Sequence, residues 1–336
     1  MTEAGPQASV TAPARAETLV EVAGLNRVFD TVHAVRDLSF IIPRGSVVGF
    51  IGANGAGKTT TMRIMATLDE PTSGSVVIDG HDVVDDPRPV RRLVGWMPDS
   101  FGTYPNMSVF EYLDFFARSY GFSRGERRAR VEDVMDFADL TPLADRQMGR
   151  LSKGMAQRLC FGRMLIPDPA FLILDEPAAG LDPKARLEFK NLVRLLAARG
   201  KTLFISSHIL SELGEMCDSL LFIDGGRLVF HGEAEALKHG TLPGAEAAAA
   251  MVQVVVAGDP EPLVEWAETN RGWRVIDVKR DGARLECEAG DAAALADGLR
   301  RMVAAGIAVV EFRREQRRLE EAFVEMVKGG TRRGES

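Results

Sequence analysis

Two stretches of this sequence have the residue types and spacing needed to hold phosphates. The first, Gly52-Ala53-Asn54-Gly55-Ala56-Gly57-Lys58-Thr59, has the form G-x-x-x-x-G-K-[ST]. Glycines in such a loop let backbone N–H groups approach a polyphosphate, the lysine neutralises charge, and the hydroxyl can reach a divalent cation. The apolar run Val47-Val48-Gly49-Phe50-Ile51 precedes it, and the helix-like Thr60-Thr61-Met62-Arg63-Ile64-Met65-Ala66 follows. That is the strand, loop and helix setting the motif requires. Asn54, Gly55, Gly57, Lys58, Thr59 and Thr60 are therefore candidate phosphate-binding residues. The second stretch, Leu151-Ser152-Lys153-Gly154-Met155-Ala156-Gln157-Arg158, offers a hydroxyl, a close backbone approach and a helix start. Each of these favours an anion.

A phosphate loop also needs an acidic partner for its metal at the end of a neighbouring buried strand. Phe171-Leu172-Ile173-Leu174-Asp175-Glu176 supplies one. Asp175 is placed for a Mg²⁺ shell alongside Thr59, and Glu176 beside it can polarise an attacking water. The plainer alternative is a strand that ends in two solvated acids. His208 follows the apolar run Thr202-Leu203-Phe204-Ile205, on the edge where open α/β sheets bind ligands. Its position alone leaves the choice between a water-holding imidazole and a structural one open.

The elements that must position these residues are legible as patterns. Phe171–Leu174 and Thr202–Ile205 read as buried parallel strands, with a helix over Pro183–Ala198 closed by Gly200 between them. Strand-like stretches at Leu19–Val22, Ser39–Ile42 and Ser75–Ile78 predict an antiparallel layer beside the nucleotide core. From Ser108 to Ala144 apolar residues recur at helical spacing, among them Val109, Tyr112, Leu113, Phe116, Val131, Val134, Met135 and Ala138. This predicts an inserted helical subdomain over about 104–150. Residues 18–240 are expected to form the nucleotide domain, 241–250 a linker rich in Gly, Pro and Ala, and 251–330 a small domain of βαββαβ order, a ferredoxin-like α+β fold. A last amphipathic helix places Leu319, Phe323, Met326 and Val327 on one face. Residues 1–17 and 331–336 read as disordered ends.

Composition narrows the class. With 336 residues, 46% hydrophobic and 26% charged, the chain has the make-up of a soluble globular protein of about two domains. A net charge of −7 gives no overall attraction to nucleic acid or an anionic membrane. Cys160, Cys217 and Cys287 lie far apart without C-x-x-C spacing, which argues against a zinc site or a disulfide framework and fits a reducing compartment. No stretch approaches the ~18 consecutive apolar residues of a membrane span, and the N-terminal segment lacks the pattern of a secretory signal.

The ordered set of phosphate loop, L-S-x-G-x-x-Q-R, apolar run with Asp-Glu, Gly180-Leu181-Asp182 and His208 resembles the nucleotide-binding subunits of ATP-binding-cassette (ABC) transporters, over roughly Leu19 to Gly232. The second stretch is the discriminating piece, because kinases and GTPases with phosphate loops lack it. The resemblance implies a P-loop ATPase fold with a RecA-like core, an antiparallel β layer and a helical insertion, binding ATP and Mg²⁺. It implies that Phe29 stacks on adenine, that Ser152 and Gly154 touch the γ-phosphate held by an opposite subunit, and that Asp182 lies in the loop bridging two subunits. It also makes Glu176 the catalytic glutamate and His208 the switch histidine.

Two departures stand out. Lys153 occupies the first glycine position of the usual L-S-G-G-Q, with Met155 where Gln often stands. Asp99, in Trp96-Met97-Pro98-Asp99, occupies the position of a glutamine that touches Mg²⁺ and water. A carboxylate there can ligate Mg²⁺ but also repels a γ-phosphate.

The implied partners are a second copy of the chain, arranged head to tail by ATP, and a separate transmembrane permease docked on the helical insertion. The implied location is the cytoplasmic face of the cell membrane, peripheral through that permease. The βαββαβ domain and the ending Leu319-Glu320-Glu321-Ala322-Phe323 are similar to exporters of the daunorubicin-resistance type, for drugs, antibiotics, lipids or polysaccharides. A soluble cassette ATPase acting on ribosomes or DNA is the alternative. Against it stand a single phosphate loop and the lack of extended heptads or zinc spacing, so no nucleic acid is expected as a partner.

Overall fold

The computed structural model describes residues 17–102, 104–234 and 249–315. These fall into two compact units, one made of the described residues up to His208 with Ile223–Leu228, the other of Ile209–Phe222 and the described residues from Val229 onward. The expected linker at 241–250 lies largely outside the described residues, as do the C-terminal helix over Leu319–Val327 and both chain ends.

The first unit opens with two long strands, β1 (Thr18–Phe29) and β2 (Val32–Pro43), followed by β3 (Val47–Ile51), whose residues are all buried. Helix α1 (Lys58–Met65) precedes β4 (Ser73–Ile78), the short β5 (His81–Asp82), α2 (Pro87–Leu93) and β6 (Val94–Met97). The strands β2-β1-β4-β5 form an antiparallel sheet in that order. The strand expected over Leu19–Val22 extends well past that stretch. Register shifts at Val22/Leu25, Leu25/Arg27 and Arg27/Val28 interrupt the two-residue period, so the far half of β1 does not read as a strand in the sequence.

The predicted helical insertion is present as α3 (Val109–Ser119) and α4 (Arg124–Phe137), with two short 3₁₀ turns leading into α5 (Lys153–Leu165). Both α3 and α4 begin with a capping box, Ser108 with Glu111 and Ser123 with Glu126, which satisfies orphan amide donors at each start. Their inner faces bury Val109, Tyr112, Leu113, Val131, Val134, Met135 and Ala138. Phe116 packs edge-on against Tyr112 at 4.9 Å between ring centroids, while Phe115 and Tyr104 stay exposed.

After α5 come β7 (Phe171–Leu174), α6 (Pro183–Ala198) and β8 (Thr202–Ser207). Every residue of β7 and β8 is buried, as parallel strands covered on both faces require. Strands β3-β8-β7-β6 run parallel in that order. Strands β9 (Ser219–Asp224) and β10 (Arg227–Glu233) follow in the chain, and of them Ile223–Leu228 belongs to this unit. The sequence patterns assign no strand to β6, β9 or β10. Phe40 of β2, Phe50 of β3 and Phe204 of β8 stack with centroids 5.0–6.3 Å apart and lock the antiparallel layer onto the parallel sheet.

In the second unit the short helix α7 (Leu210–Gly214) precedes the elements β11 (Ala250–Val256), α8 (Glu261–Thr269), β12 (Trp273–Lys279), β13 (Gly282–Cys287), α9 (Ala292–Ala304) and β14 (Val309–Arg314). The βαββαβ order expected from the sequence is therefore present, and the antiparallel sheet runs β12-β13-β11-β14. Strict alternation along β11 sends Ala250, Val252, Val254 and Val256 into a core shared with Leu263, Trp266, Trp273, Leu285 and Met302. Cys287 is buried there too, and Cys160 and Cys217 are also buried and free.

Gly298 of α9 lets the ring of Trp273 approach the helix closely, since a Cβ at that position would stand 2.2 Å from Trp273 Cζ2. Trp273 is itself held edge-on by Trp266 at 5.5 Å. Gly298→Ala is expected to destabilise this unit by about 1–3 kcal/mol, the usual cost of overpacking a filled core. Denaturant unfolding of the intact chain followed by tryptophan fluorescence, which two of the three tryptophans report from this core, checks it.

Candidate functional site

Parallel registration gathers the chemistry at one edge. Ile51 pairs with Ser207, Leu174 with Ile205, and Met97 with Leu174. The next residues out of these strands are Gly52, Asp175, His208 and the Pro98-Asp99 turn, so four separate segments open onto the same C-terminal edge of the sheet.

The phosphate loop is shaped by close contacts that exclude side chains. A Cβ on Gly52 would stand 2.4 Å from the Ile223 carbonyl oxygen, and one on Gly57 would stand 2.5 Å from that of Ala34. Gly55 and Gly57 also have left-handed φ angles, 83° and 104°, which glycine adopts without strain. Lys58 is only 6% exposed; its Nζ donates to the Gly52 carbonyl at 2.7 Å and to that of Ala53 at 3.3 Å. The lysine is thereby folded back over its own loop.

Asp175, 2% exposed, is fixed from two sides. Thr59 donates its hydroxyl proton to Oδ2 at 2.8 Å, and Ser206 donates to Oδ1 at 2.6 Å. Ser206 Oγ in turn accepts the Glu176 amide at 2.8 Å. In an extended strand, neighbouring side chains point to opposite faces. Glu176 escapes that alternation because its φ is +49°, a conformation costly for a residue with a Cβ. The result is that adjacent carboxylates serve the same edge. Glu176 Oε2 accepts from His208 Nδ1 at 2.8 Å, and Oε1 lies 3.5 Å from Lys58 Nζ, buried and without a hydrogen-bond partner.

A cleft of about 370 Å³ runs from Phe29 along the phosphate loop to Asp99 and Glu176, with Asn54, Gly55, Gly57, Lys58, Thr59 and Thr60 among its walls. The structure thus brings together Phe29, the loop residues, Asp99 and Glu176, with Asp175 and His208 joined to them by hydrogen bonds. Ser152, Gly154 and Asp182 are not among the cleft's walls. Ser152 caps α5, accepting the Met155 amide at 3.3 Å, and Asp182 caps α6, accepting the Ala185 amide at 2.9 Å. These two helix starts adjoin each other, since a Cβ on Gly154 would lie 3.2 Å from that of Ala185.

Sequence reading did not single out Ser206. Its signal was a polar pair, Ser206-Ser207, ending an otherwise apolar buried strand, which says that something polar waits inside.

The family model described as "ABC transporter" matches residues 35–179. The chain is 40% identical over 207 residues to the ABC transporter ATP-binding protein NatA of Bacillus subtilis (strain 168), covering 61% of this chain and 84% of that protein. It is 38% identical over 218 residues to the Nod factor export ATP-binding protein I of Burkholderia lata, covering 65% and 72%. Among solved structures, an ATP binding subunit of an ABC transporter superposes with a TM-score of 0.61 at 30% identity, over 68% of this chain and 95% of that one. The structure of cbiO1 from Clostridium perfringens gives 0.60 at 27%, over 66% and 90%.

Ser206→Ala removes the donor to Asp175 and leaves the Glu176 amide unmet. It is expected to cost about 1–3 kcal/mol in chemical denaturation and to lower ATP turnover. Gly57→Ala, forced against the Ala34 carbonyl, is expected to abolish binding of a fluorescent ATP analogue in equilibrium titration.

Proposed function

The chain belongs to the ATP-binding subunits of ABC transporters, ATPases that bind and hydrolyse ATP, and from that premise we propose that it drives a separate membrane permease as an exporter, working as an ATP-dependent head-to-tail dimer. One observation carries the catalytic part of this reading: a single sheet edge presents Lys58, the Thr59–Asp175 pair and the Glu176–His208 pair to one cleft.

In this reading Phe29 stacks on the adenine, while Asn54, Gly55, Gly57 and Thr60 line the phosphates and Lys58 neutralises them. Glu176 is the general base. His208 holds one carboxylate oxygen in place, and the other, 3.5 Å from Lys58 Nζ with no hydrogen bond, would accept the proton from the attacking water. The donors at Thr59 and Asp175 are hard oxygens meeting at 2.8 Å, which suits Mg²⁺. Among the described residues no group of three His, Cys, Asp or Glu side chains is placed to hold a metal ion by itself, and a Mg²⁺ here would take its remaining ligands from phosphates and water. Bound there, Mg²⁺ would screen charge on the phosphate oxygens. Asp99, on the wall of the same cleft, is a further candidate oxygen ligand.

The separation of Ser152, Gly154 and Asp182 from the cleft supports assembly. Two helix starts with a capping hydroxyl and a capping carboxylate form a second surface that a phosphate in the same subunit's cleft does not meet. Head-to-tail pairing would bring each such surface onto the other copy's nucleotide, so that ATP joins the subunits and hydrolysis releases them.

No helix of the described residues is long and apolar enough to cross a membrane, so transport would need a partner chain that crosses it. The exposed aromatic surface of α3, with Tyr104, Phe115 and Tyr120, is the proposed docking face. That partner would hold the protein at the cytoplasmic face of the membrane. Export is supported by the name of the Nod factor export relatives, and the small β11–β14 domain would serve as an accessory to the cassette.

Glu176→Gln is expected to lower ATP turnover by about 10²- to 10⁴-fold, the range for loss of a general base, while ATP binding changes little. At saturating ATP and Mg²⁺ this variant should run as a dimer in light scattering. Persistent monomers would overturn the head-to-tail assembly, and undiminished turnover would overturn the role of Glu176.

A further inference from the structure

Phe29 does not stand alone on the cleft wall. It projects from the bulged end of β1, 39% exposed, and the guanidinium of Arg27 lies over its ring with Cζ 4.2 Å from the centroid. That contact puts the two side chains on the same side of β1 despite the register shift between Arg27 and Val28. The guanidinium is anchored rather than free: Nη2 pairs with Asp69 Oδ1 at 2.7 Å, both groups less than a quarter exposed. Asp69 Oδ1 also accepts the Glu70 amide at 2.9 Å, so the carboxylate is itself fixed by the backbone of the turn after α1. The same turn grips β1 again, with the Val28 amide donating to Thr72 Oγ1 at 2.9 Å and the Thr72 amide to the Asn26 carbonyl at 2.8 Å. Arg27 Nε is buried with no hydrogen-bond partner, so the Asp69 pair and the contact with the ring together set the guanidinium's orientation.

We propose that Arg27, tied down by Asp69, is a positioning residue for nucleotide binding: it backs one face of Phe29 so that the ring presents its other face to the base. A planar cation is suited to this task because it stacks flat while keeping its in-plane donors for the carboxylate. Asp69 follows the helix that begins with Lys58 and Thr59. The prop therefore ties the aromatic to the turn that follows the phosphate-loop helix, through the Arg27–Asp69 ion pair alongside the Thr72 hydrogen bonds. This inference rests on the reading of Phe29 as the adenine platform.

The test compares Phe29→Ala, Arg27→Met, Asp69→Asn and the double variant Phe29→Ala/Arg27→Met in steady-state ATP hydrolysis by the intact chain. Inorganic tripolyphosphate, which has no base, serves as a competing probe. Arg27→Met keeps the apolar stem and loses the planar cation. It is expected to raise the KM for ATP about two- to fivefold, the factor corresponding to an exposed cation–π contact, with kcat and the inhibition constant for tripolyphosphate unchanged. Asp69→Asn, which retains the shape of the anchor, is expected to move KM in the same direction, and it carries the test if Arg27→Met does not fold. The double variant should be no worse than Phe29→Ala, because Arg27 acts only through the ring. A raised KM in Phe29→Ala with none in Arg27→Met or Asp69→Asn would overturn the prop while leaving the adenine platform standing. Additive losses in the double variant, or a weakened hold on tripolyphosphate, would also overturn it. An unchanged KM in Phe29→Ala would overturn the platform itself, and the prop with it.

Discussion

The carboxylate of Asp175 is the fixed point on which the site is built. It sits at the end of a fully buried strand, where an unpaired charge would be costly, and it is satisfied by hydroxyls from two other segments, Thr59 and Ser206. Those two hydrogen bonds tie the start of α1, the end of β7 and the end of β8 to one atom group. Lys58, Glu176 and His208 hang from these three segments. Lys58 precedes Thr59, Glu176 follows Asp175, and His208 comes two residues after Ser206.

The parallel sheet makes this convergence possible. Its strands are short and largely apolar, and the polar residues that end β8 and follow β7 emerge at one edge. The antiparallel layer has a different task. Held to the sheet by the Phe40, Phe50 and Phe204 stack, it brings Phe29 to the wall of the same cleft as Glu176, so that base and phosphate groups of one nucleotide can be met by two different layers.

Much of this was legible in the sequence because the informative residues are neighbours in the chain. The phosphate loop is eight consecutive residues, Asp175 and Glu176 directly end an apolar run, and His208 follows another. The C-terminal unit was readable from the alternation of β11 and the helical spacing of α8 and α9. What stayed hidden depends on contacts between distant segments. Ser206 gains its role from a register that sets β8 beside β7, and Asp69 from a turn that meets β1 more than forty residues upstream. The length of β1 was obscured by its bulges, and the two-residue strand β5 is too short to carry a pattern.

Glu176 keeps a backbone angle that asparagine or glycine would adopt more comfortably. Either replacement would relax the peptide but shorten or delete the carboxylate's reach toward water and His208. The position is thus trapped between comfort and reach: a random drift toward easier backbone geometry disarms the enzyme, and the protein lives permanently with a twisted residue at its working edge.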